Sequence, residues 1–327
     1  MKAAVIVAAG ERNRLEIRDV ENPAPGPGEL LVRVRAIGIN RADLMLRAGH
    51  FRNMGGAHAE PIAGLELAGE VVGKGDGVSG WQPGARVMAM GSSAYAEFAT
   101  VDARVAIAVP DGFSWEEAAT LPVALMTSHD SVVTNGRLAA GESILIQGAS
   151  TGVGIAAMQI AKVMGAARVL GTSTSSAKIA LLSAFGLDAG IDMRNEDFAL
   201  RIRAATGNHG VDVIIDHVGA SVLAGNLQAA AIRGRIVSVG RMGGKLAEID
   251  MDLLALKRIA LIGVTFRTRT PEEIAVLIAA MQRDLWQHVI ARRIHLPIDR
   301  VYPLDEAGAA HERMRANAHL GKIVLVT

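Results

Sequence analysis

Gln147-Gly-Ala-Ser-Thr-Gly-Val-Gly154 follows the apolar run Ser143-Ile144-Leu145-Ile146 and precedes a segment whose apolar positions recur at helical spacing: Val153, Ala156, Ala157, Ile160, Ala161 and Met164. One face of a helix is defined by that spacing, so Gly148, Ala149, Ser150, Thr151, Gly152, Val153 and Gly154 form a glycine-rich turn from strand to helix. The first amides of such a helix have no acceptor within it, and the positive end of the helix dipole lies behind them. Together they make a seat for phosphate, with a dinucleotide pyrophosphate the expected occupant. The strict GxGxxG pattern keeps only its last glycine here, so context has to carry the reading.

Context supplies it downstream. Strands expected at 143–147, 167–172, 189–192, 211–216 and 235–239 alternate with helices at 153–164, 177–185, 196–205 and 220–231, which predicts a doubly wound parallel sheet. Half of the residues are hydrophobic but only 3% are aromatic, so small aliphatic side chains do the packing, as suits strands buried on both faces. Upstream, Met1 to about Pro122 is short strands and turns: the breaker cluster Asn22-Pro-Ala-Pro-Gly-Pro-Gly28, then alternation of Leu31, Arg33 and Arg35 against Val32, Val34 and Ala36. A glycine-rich stretch from Gly64 to Gly84 follows, and the region reads as a small β barrel or sandwich. Ser114 with Glu117 forms a capping box that opens a helical stretch reaching Gly136. After Gly240, a short helix at 252–257, an apolar strand at 259–264, helices near 271–286 and 304–316 and a final strand at 322–327 are expected. The tail should return to the first domain, since it is too poor in strands for a core of its own.

Net charge is +1 with acids and bases interspersed, so neither a nucleic-acid footprint nor a membrane-surface patch is implied. There is no cysteine, which removes disulfides, iron–sulfur clusters and thiolate zinc sites. No apolar run reaches membrane-spanning length and the start is read as a first strand, so a cytoplasmic location is expected. His50 and His58 near Glu60 are the closest approach to a metal cluster, and no functional metal is expected.

The second strand of a dinucleotide fold ends in Asp or Glu when the ribose has a free 2′-hydroxyl. Here it runs into Gly171-Thr-Ser-Thr-Ser-Ser-Ala-Lys178, with no acid between Glu142 and Asp188. Hydroxyls and a lysine can donate to a phosphate, so NADPH is expected over NADH. The alternative is an ordinary solvated Ser/Thr loop in which Ser176 caps a helix.

The chain resembles the medium-chain dehydrogenase/reductase superfamily, specifically its zinc-free NADPH:quinone oxidoreductase branch, the zeta-crystallin-like proteins. The likeness is carried in order by GINRADLMLRAGHF (38–51), GLELAGEVVGKG (64–75), the Thr127 helix, GASTGVG, the lysine-bearing turn, VGRMGG (239–244), FRTR (266–269) and HLGKIVLVT (319–327). It implies a Rossmann nucleotide domain at 123–266 and a β-rich GroES-like catalytic domain at 1–122 and 267–327. Zinc-dependent relatives have cysteine at Asn40 and histidine at Leu65, before Glu66, and carry a four-cysteine lobe that is missing here. The resemblance places Asn40, Asp43 and Thr127 in a nicotinamide pocket. Asn40 would orient the carboxamide or an acceptor carbonyl, and Asp43 would hold a water or relay a proton. Structural readings of these two are an αL turn residue and a helix N-terminal charge.

Further cofactor contacts implied by the resemblance are Ser173, Thr174, Lys178, Met193, Gly240, Arg241, Phe266, Arg267 and Asn317. Departures weaken some of them: Thr174 and Met193 replace a glycine and a tyrosine that touch the 2′-phosphate in some members, and Asn317 replaces an arginine. Phe51 stands in the substrate pocket where many relatives have tyrosine, which removes a phenolic proton donor. The expected activity is NADPH-dependent quinone reduction. Alternatives are alkenal or enone reduction, disfavoured by Phe51, and a crystallin-like nucleotide binder without turnover. The branch dimerises through paired edge strands, which implies a homodimer through 259–264.

Overall fold

The computed structural model describes residues 1–8, 13–47 and 61–327. His50, Phe51, His58 and Glu60, singled out in the sequence, lie outside the described residues. The described chain forms two compact units: Met1–Ala124 with Thr270–Ala279 and Leu296–Thr327, and Leu125–Arg269 with Ala280–His295.

In chain order the first unit begins with β1 (Lys2–Val7) and β2 (Arg14–Asp19), paired antiparallel as a separate ribbon. It continues with β3 (Glu29–Ile39), α1 (Arg41–Arg47), β4 (Glu66–Lys74), β5 (Arg86–Met90), β6 (Phe98–Asp102), β7 (Ala106–Ala108) and α2 (Trp115–Ala119). The alternation along β3 is realised: Val32, Val34 and Ala36 are buried while Arg33 and Arg35 face out. Ser114 caps α2, accepting from the Glu117 amide at 3.1 Å while the Glu117 carboxylate accepts from the Ser114 amide at 2.8 Å.

The helix α3 (Leu121–His129), continued by a wider π turn over Asp130–Asn135, leads into the second unit. There β8 (Ser143–Gln147), α4 (Gly152–Val163), β9 (Arg168–Ser173), α5 (Ser176–Ile179), β10 (Ala189–Asp192), α6 (Phe198–Ala205), β11 (Val211–Asp216), α7 (Ala220–Ala229), β12 (Ala230–Ser238), α8 (Met251–Lys257) and β13 (Ala260–Gly263) follow. The strands order as β10-β9-β8-β11-β12-β13 with every pairing parallel. Numbered from β8, that is 3-2-1-4-5-6, the order of a doubly wound dinucleotide fold. Ile144, Leu145, Ile146, Val213, Ile214 and Ile215 are fully buried, as strands covered on both faces must be.

Two elements differ from expectation. The helix expected at 177–185 breaks after Ile179 into a 3-10 turn, Leu182–Phe185, that ends on left-handed Gly186. Strand β12 begins at Ala230 and not 235, because α7 ends at Ala229 and the chain passes directly into extended backbone.

The chain then crosses α9 (Pro271–Ile290), β14 (Ile298–Pro303), α10 (Ala307–Arg315) and β15 (Lys322–Val326). β14 and β15 join the sheet β14-β15-β3-β4-β5-β7 of the first unit, with β6 on β3. The later part of α9 and its following turn go with the second unit, where the sequence expectation put all of 267–327 in the first. Met281, Leu285, Val289 and Ile294 are fully buried, His129 bonds Asp284 at 2.8 Å, and Gln159 donates to the His295 carbonyl at 2.8 Å. Among the described residues no helix is long and apolar enough to cross a membrane.

Candidate active site

In the second unit the strands end level: Gln147 and Ser238 both register with Asp216, and Ser173 with Asp192. The turns that leave these carboxyl ends therefore share one edge. They carry Gly148–Gly154 after β8, Ser173, Thr174 and Lys178 at and after β9, Met193 after β10, Gly240 and Arg241 after β12, and Phe266 and Arg267 after β13. The strand order reverses between β8 and β11, and a crevice at such a reversal is where open α/β sheets bind ligands.

The glycine turn is tied down from below. Gly148 takes φ +75°, its amide donates to Thr172 Oγ1 at 3.2 Å, and the Ala149 amide donates to the Thr172 carbonyl at 2.9 Å. Thr151 caps α4: its hydroxyl donates to the Gly148 carbonyl at 2.9 Å and accepts from the Gly154 amide at 3.1 Å. Helix geometry leaves the Gly152 and Val153 amides without acceptors in α4. A Cβ at Gly154 would fall 2.5 Å from the Gly148 carbonyl oxygen, which explains why the last glycine of the motif is the one retained. Ser128 Oγ, next to Thr127 on α3, donates to the Val153 carbonyl at 2.8 Å, which links that helix to the turn.

Beneath the turn runs a buried polar chain that sequence reasoning missed. Thr172 Oγ1 donates to Gln147 Oε1 at 2.6 Å, Gln147 Nε2 donates to Asn226 Oδ1 at 2.7 Å, and Asn226 Nδ2 donates to Asp216 Oδ2 at 3.1 Å. Asp216 Oδ1 accepts from the Val218 and Gly219 amides at 2.8 Å each, and burial pushes its carboxyl up. Polar residues closing three apolar strands were the available signal. His217 follows, with Nδ1 3.0 Å from the Gln147 carbonyl and Nε2 enclosed without a partner; burial lowers it to about 4, so the ring is neutral. Gly240 lies against it so closely that any Cβ would overlap the His217 carbonyl.

At the end of β9, Ser150 and Ser173 hydroxyls are 3.1 Å apart, Thr174 is exposed, and Lys178 is half-buried on α5. The cap of α5 is Ser175, not Ser176: its hydroxyl accepts from the Lys178 amide at 3.4 Å. A carboxylate does stand beside the end of β9, Asp192 at the end of β10. The Arg194 guanidinium grips it at 2.9 and 3.2 Å, holding it below the usual carboxylate range. Arg194, a cation two residues past the strand, was not singled out from the sequence. Phe266 lies under the Arg269 guanidinium at 5.0 Å, and Arg267 turns back on Thr265 Oγ1.

The first unit holds Asn40, Asp43 and Asn317. Asn40 precedes α1, and its amide is engaged within the protein: Nδ2 donates to Glu66 Oε1 at 2.8 Å, and Oδ1 accepts from Lys322 Nζ at 2.9 Å. Lys322 also pairs with Glu66 Oε1, and the Val123 amide donates to Glu66 Oε2 at 2.8 Å. This is a buried ion pair, Glu66 0% and Lys322 3% exposed. Asp43 is fully buried; burial is the main cause pushing its carboxyl up to about 7, against the lowering influence of the Asn40 backbone amide and the Lys322 charge. Asn317, past the end of α10 at φ +52°, takes the Arg41 guanidinium. Among the described residues no three His, Asp or Glu side chains are grouped to hold a metal ion.

Residues 26–111 match the alcohol dehydrogenase GroES-like domain and residues 152–283 the zinc-binding dehydrogenase domain. Quinone oxidoreductase of Rattus norvegicus is 30% identical over 334 residues, spanning all of this chain and 98% of the rat protein. The chain belongs to the medium-chain dehydrogenase/reductase superfamily. Within that superfamily, Escherichia coli quinone oxidoreductase, solved in complex with NADPH, superposes with a TM-score of 0.89 at 26% identity over all of both chains. A Pseudomonas syringae quinone oxidoreductase gives 0.89 at 29% identity over 100% of this chain and 99% of that one. A phenolphthiocerol/phthiocerol polyketide synthase subunit of Mycobacterium tuberculosis is 31% identical over 316 residues. The chain spans about 14% of that synthase's length. These relatives fit the quinone oxidoreductase branch and an oxidoreductase.

Proposed function

We propose that the chain is a zinc-independent reductase that uses NADPH to reduce a quinone. The observation that carries this reading is the Glu66–Lys322 pair. Where zinc-dependent relatives supply cysteine and histidine, this chain has Asn40 and Leu65, and a buried ammonium already engages both Asn40 Oδ1 and Glu66 Oε1. An amide, an alkyl side chain and a neutralised carboxylate do not fit a tetrahedral zinc site. With no Lewis acid, the acceptor must be electrophilic beforehand, as quinones and conjugated carbonyls are, since added charge delocalises onto oxygen.

The residues at the carboxyl edge suit NADPH: the α4 amides for the pyrophosphate, and Ser173, Thr174 and Lys178, with Arg194 beside them, for the 2′-phosphate. NADPH, when bound there, would supply the hydride. Thr127 in the second unit and, separately, Asn40 in the first are the groups assigned to orientation, and Asp43, raised by burial to about 7, is the titratable acid. A buried acid titrating near 7 favours a second reading, enone C=C reduction, which needs a proton at carbon; Phe51 disfavours it. The polyketide synthase relatives do not support quinone over enone as the acceptor.

The strand β13 is the sheet's edge, with Leu261 40% exposed and Leu246, Met251 and Leu256 exposed nearby in sequence. A second copy pairing antiparallel on it would cover that edge, and a homodimer is part of the proposal.

NADPH oxidation measured across o-quinones, p-quinones and enones, with product analysis, tests the reading. Turnover with quinones that survives prolonged chelation is expected. Turnover with enones alone would select the second reading, and activity lost to EDTA and restored by zinc would overturn the zinc-independent one. NADPH binding with no oxidation of any acceptor would point to a crystallin-like binder.

A further inference from the structure

Behind Asp43 the first unit encloses two polar side chains that the proposed reaction does not use. Tyr95, from the turn between β5 and β6, is fully buried with its hydroxyl 3.1 Å from Asp43 Oδ2 and 3.0 Å from His311 Nε2. His311, on α10, is also fully buried. The three residues are 52 and 216 positions apart in sequence, so only the fold brings them into one line.

The line has a direction. The tyrosine hydroxyl carries one proton, which goes either to Asp43 or to His311. If His311 received it, the ring would carry its own proton on Nδ1, and Nδ1 is enclosed with no acceptor among the described residues. A buried N–H without an acceptor is rarer and costlier than a lone pair without a donor. His311 Nε2–H therefore donates to Tyr95, and Tyr95 donates to Asp43. Arg47 from α1 and Arg315 and Glu312 from α10 face the imidazole; burial first, then the two guanidiniums, lower it to about 3, so it stays neutral. Asp43 Oδ2 thus has two donors, the Tyr95 hydroxyl and the Asn40 backbone amide at 2.7 Å, while Oδ1 is enclosed with none among the described residues. The charges facing the carboxyl are Lys322 from β15, which favours ionisation, and Glu66 from β4, which opposes it.

We propose that His311 and Tyr95 are positioning residues that keep Oδ2 of Asp43 occupied by donors, so that a proton taken up by the carboxyl goes to Oδ1, the oxygen that no described residue engages. Neither residue touches the reacting atoms. They act by orienting the carboxyl and by stabilising its ionised form once the proton has left. The proposal rests on the reading of Asp43 as the acid of the site.

Infrared difference titration of the full-length protein without substrate tests both levels separately. A protonated carboxyl band that disappears near neutral pH and is missing in Asp43→Asn is expected. No such band in the wild type would mean Asp43 is ionised, and the acid reading itself would fail. With the band assigned, Tyr95→Phe keeps the ring and removes one hydrogen bond to the carboxylate, so its midpoint should rise by about one pH unit. His311→Leu should raise it by less, and His311→Gln, which keeps an N–H near Nε2, should return it to the wild-type value. The high-pH limb of kcat/KM should move in step while the KM for NADPH stays unchanged. A midpoint that stays put in Tyr95→Phe overturns the positioning role. Should Tyr95→Phe not fold, equal midpoints in His311→Leu and His311→Gln overturn it.

Discussion

Replacing Lys322 with methionine isolates the ion pair on which the zinc-independent reading rests. The two side chains are of similar length, so packing is largely preserved while the charge is removed. What remains is Glu66 at 0% exposure, its Oε1 keeping only the Asn40 amide and its Oε2 the Val123 amide. The carboxylate has no room to relocate, since even a Cβ on Gly38 would overlap it. Breaking a buried pair from one side costs about 3–5 kcal/mol, because the surviving charge is uncompensated. For a unit of this size that corresponds to a fall in Tm of roughly 10 °C. The double variant Lys322→Met/Glu66→Gln removes both charges and keeps an acceptor for the Val123 amide, so it should be more stable than Lys322→Met alone and lie within about 1–2 kcal/mol of the wild type. Calorimetry and chemical denaturation of the four proteins give the cycle. A loss below about 1 kcal/mol for Lys322→Met, or a double variant no better than the sum of the singles, would refute the uncompensated-charge reasoning. The same change releases Asn40 Oδ1, so kcat should fall in Lys322→Met at unchanged KM for NADPH.

Lys178→Ala should raise the KM for NADPH by an amount worth about 1–3 kcal/mol, as for loss of a charge-assisted hydrogen bond, and leave NADH unaffected; equal weakening of both would remove Lys178 from the 2′-phosphate site. His217 is lowered to about 4 in the folded protein against an ordinary 6.5, so the unfolded chain takes up its proton first as pH falls. Its contribution to stability is therefore complete above pH 6.5 and is lost between there and pH 4, up to about 3 kcal/mol; denaturation midpoints across that window should flatten in His217→Gln, and an unchanged slope would contradict this. Leu261→Pro, or a charge at Ile262, should turn a homodimer into monomer or precipitate. Light scattering that finds the wild type a stable monomer at micromolar concentration would show that the β13 edge is capped otherwise.

Local patterns determined much of this protein. A hydrophobic period of two along β3, the switch to helical spacing after Gly154, the Ser114 capping box and the breaker cluster before β3 are each set within a few residues, so they are legible in order along the chain. The six-stranded parallel sheet follows from them, because few topologies accommodate repeated βα units. The turns proposed to seat a dinucleotide are placed with it. What the tertiary structure alone decided is which polar side chains meet. Thr172, Gln147, Asn226 and Asp216 look like ordinary strand and helix ends in sequence, Lys322 like the start of a last strand, and Tyr95 and His311 like core fillers. A buried hydrogen bond or ion pair has no period and no fixed spacing: it exists because burial makes an unpaired polar group costly, and the partner that removes the cost is supplied by whichever element packing brings alongside.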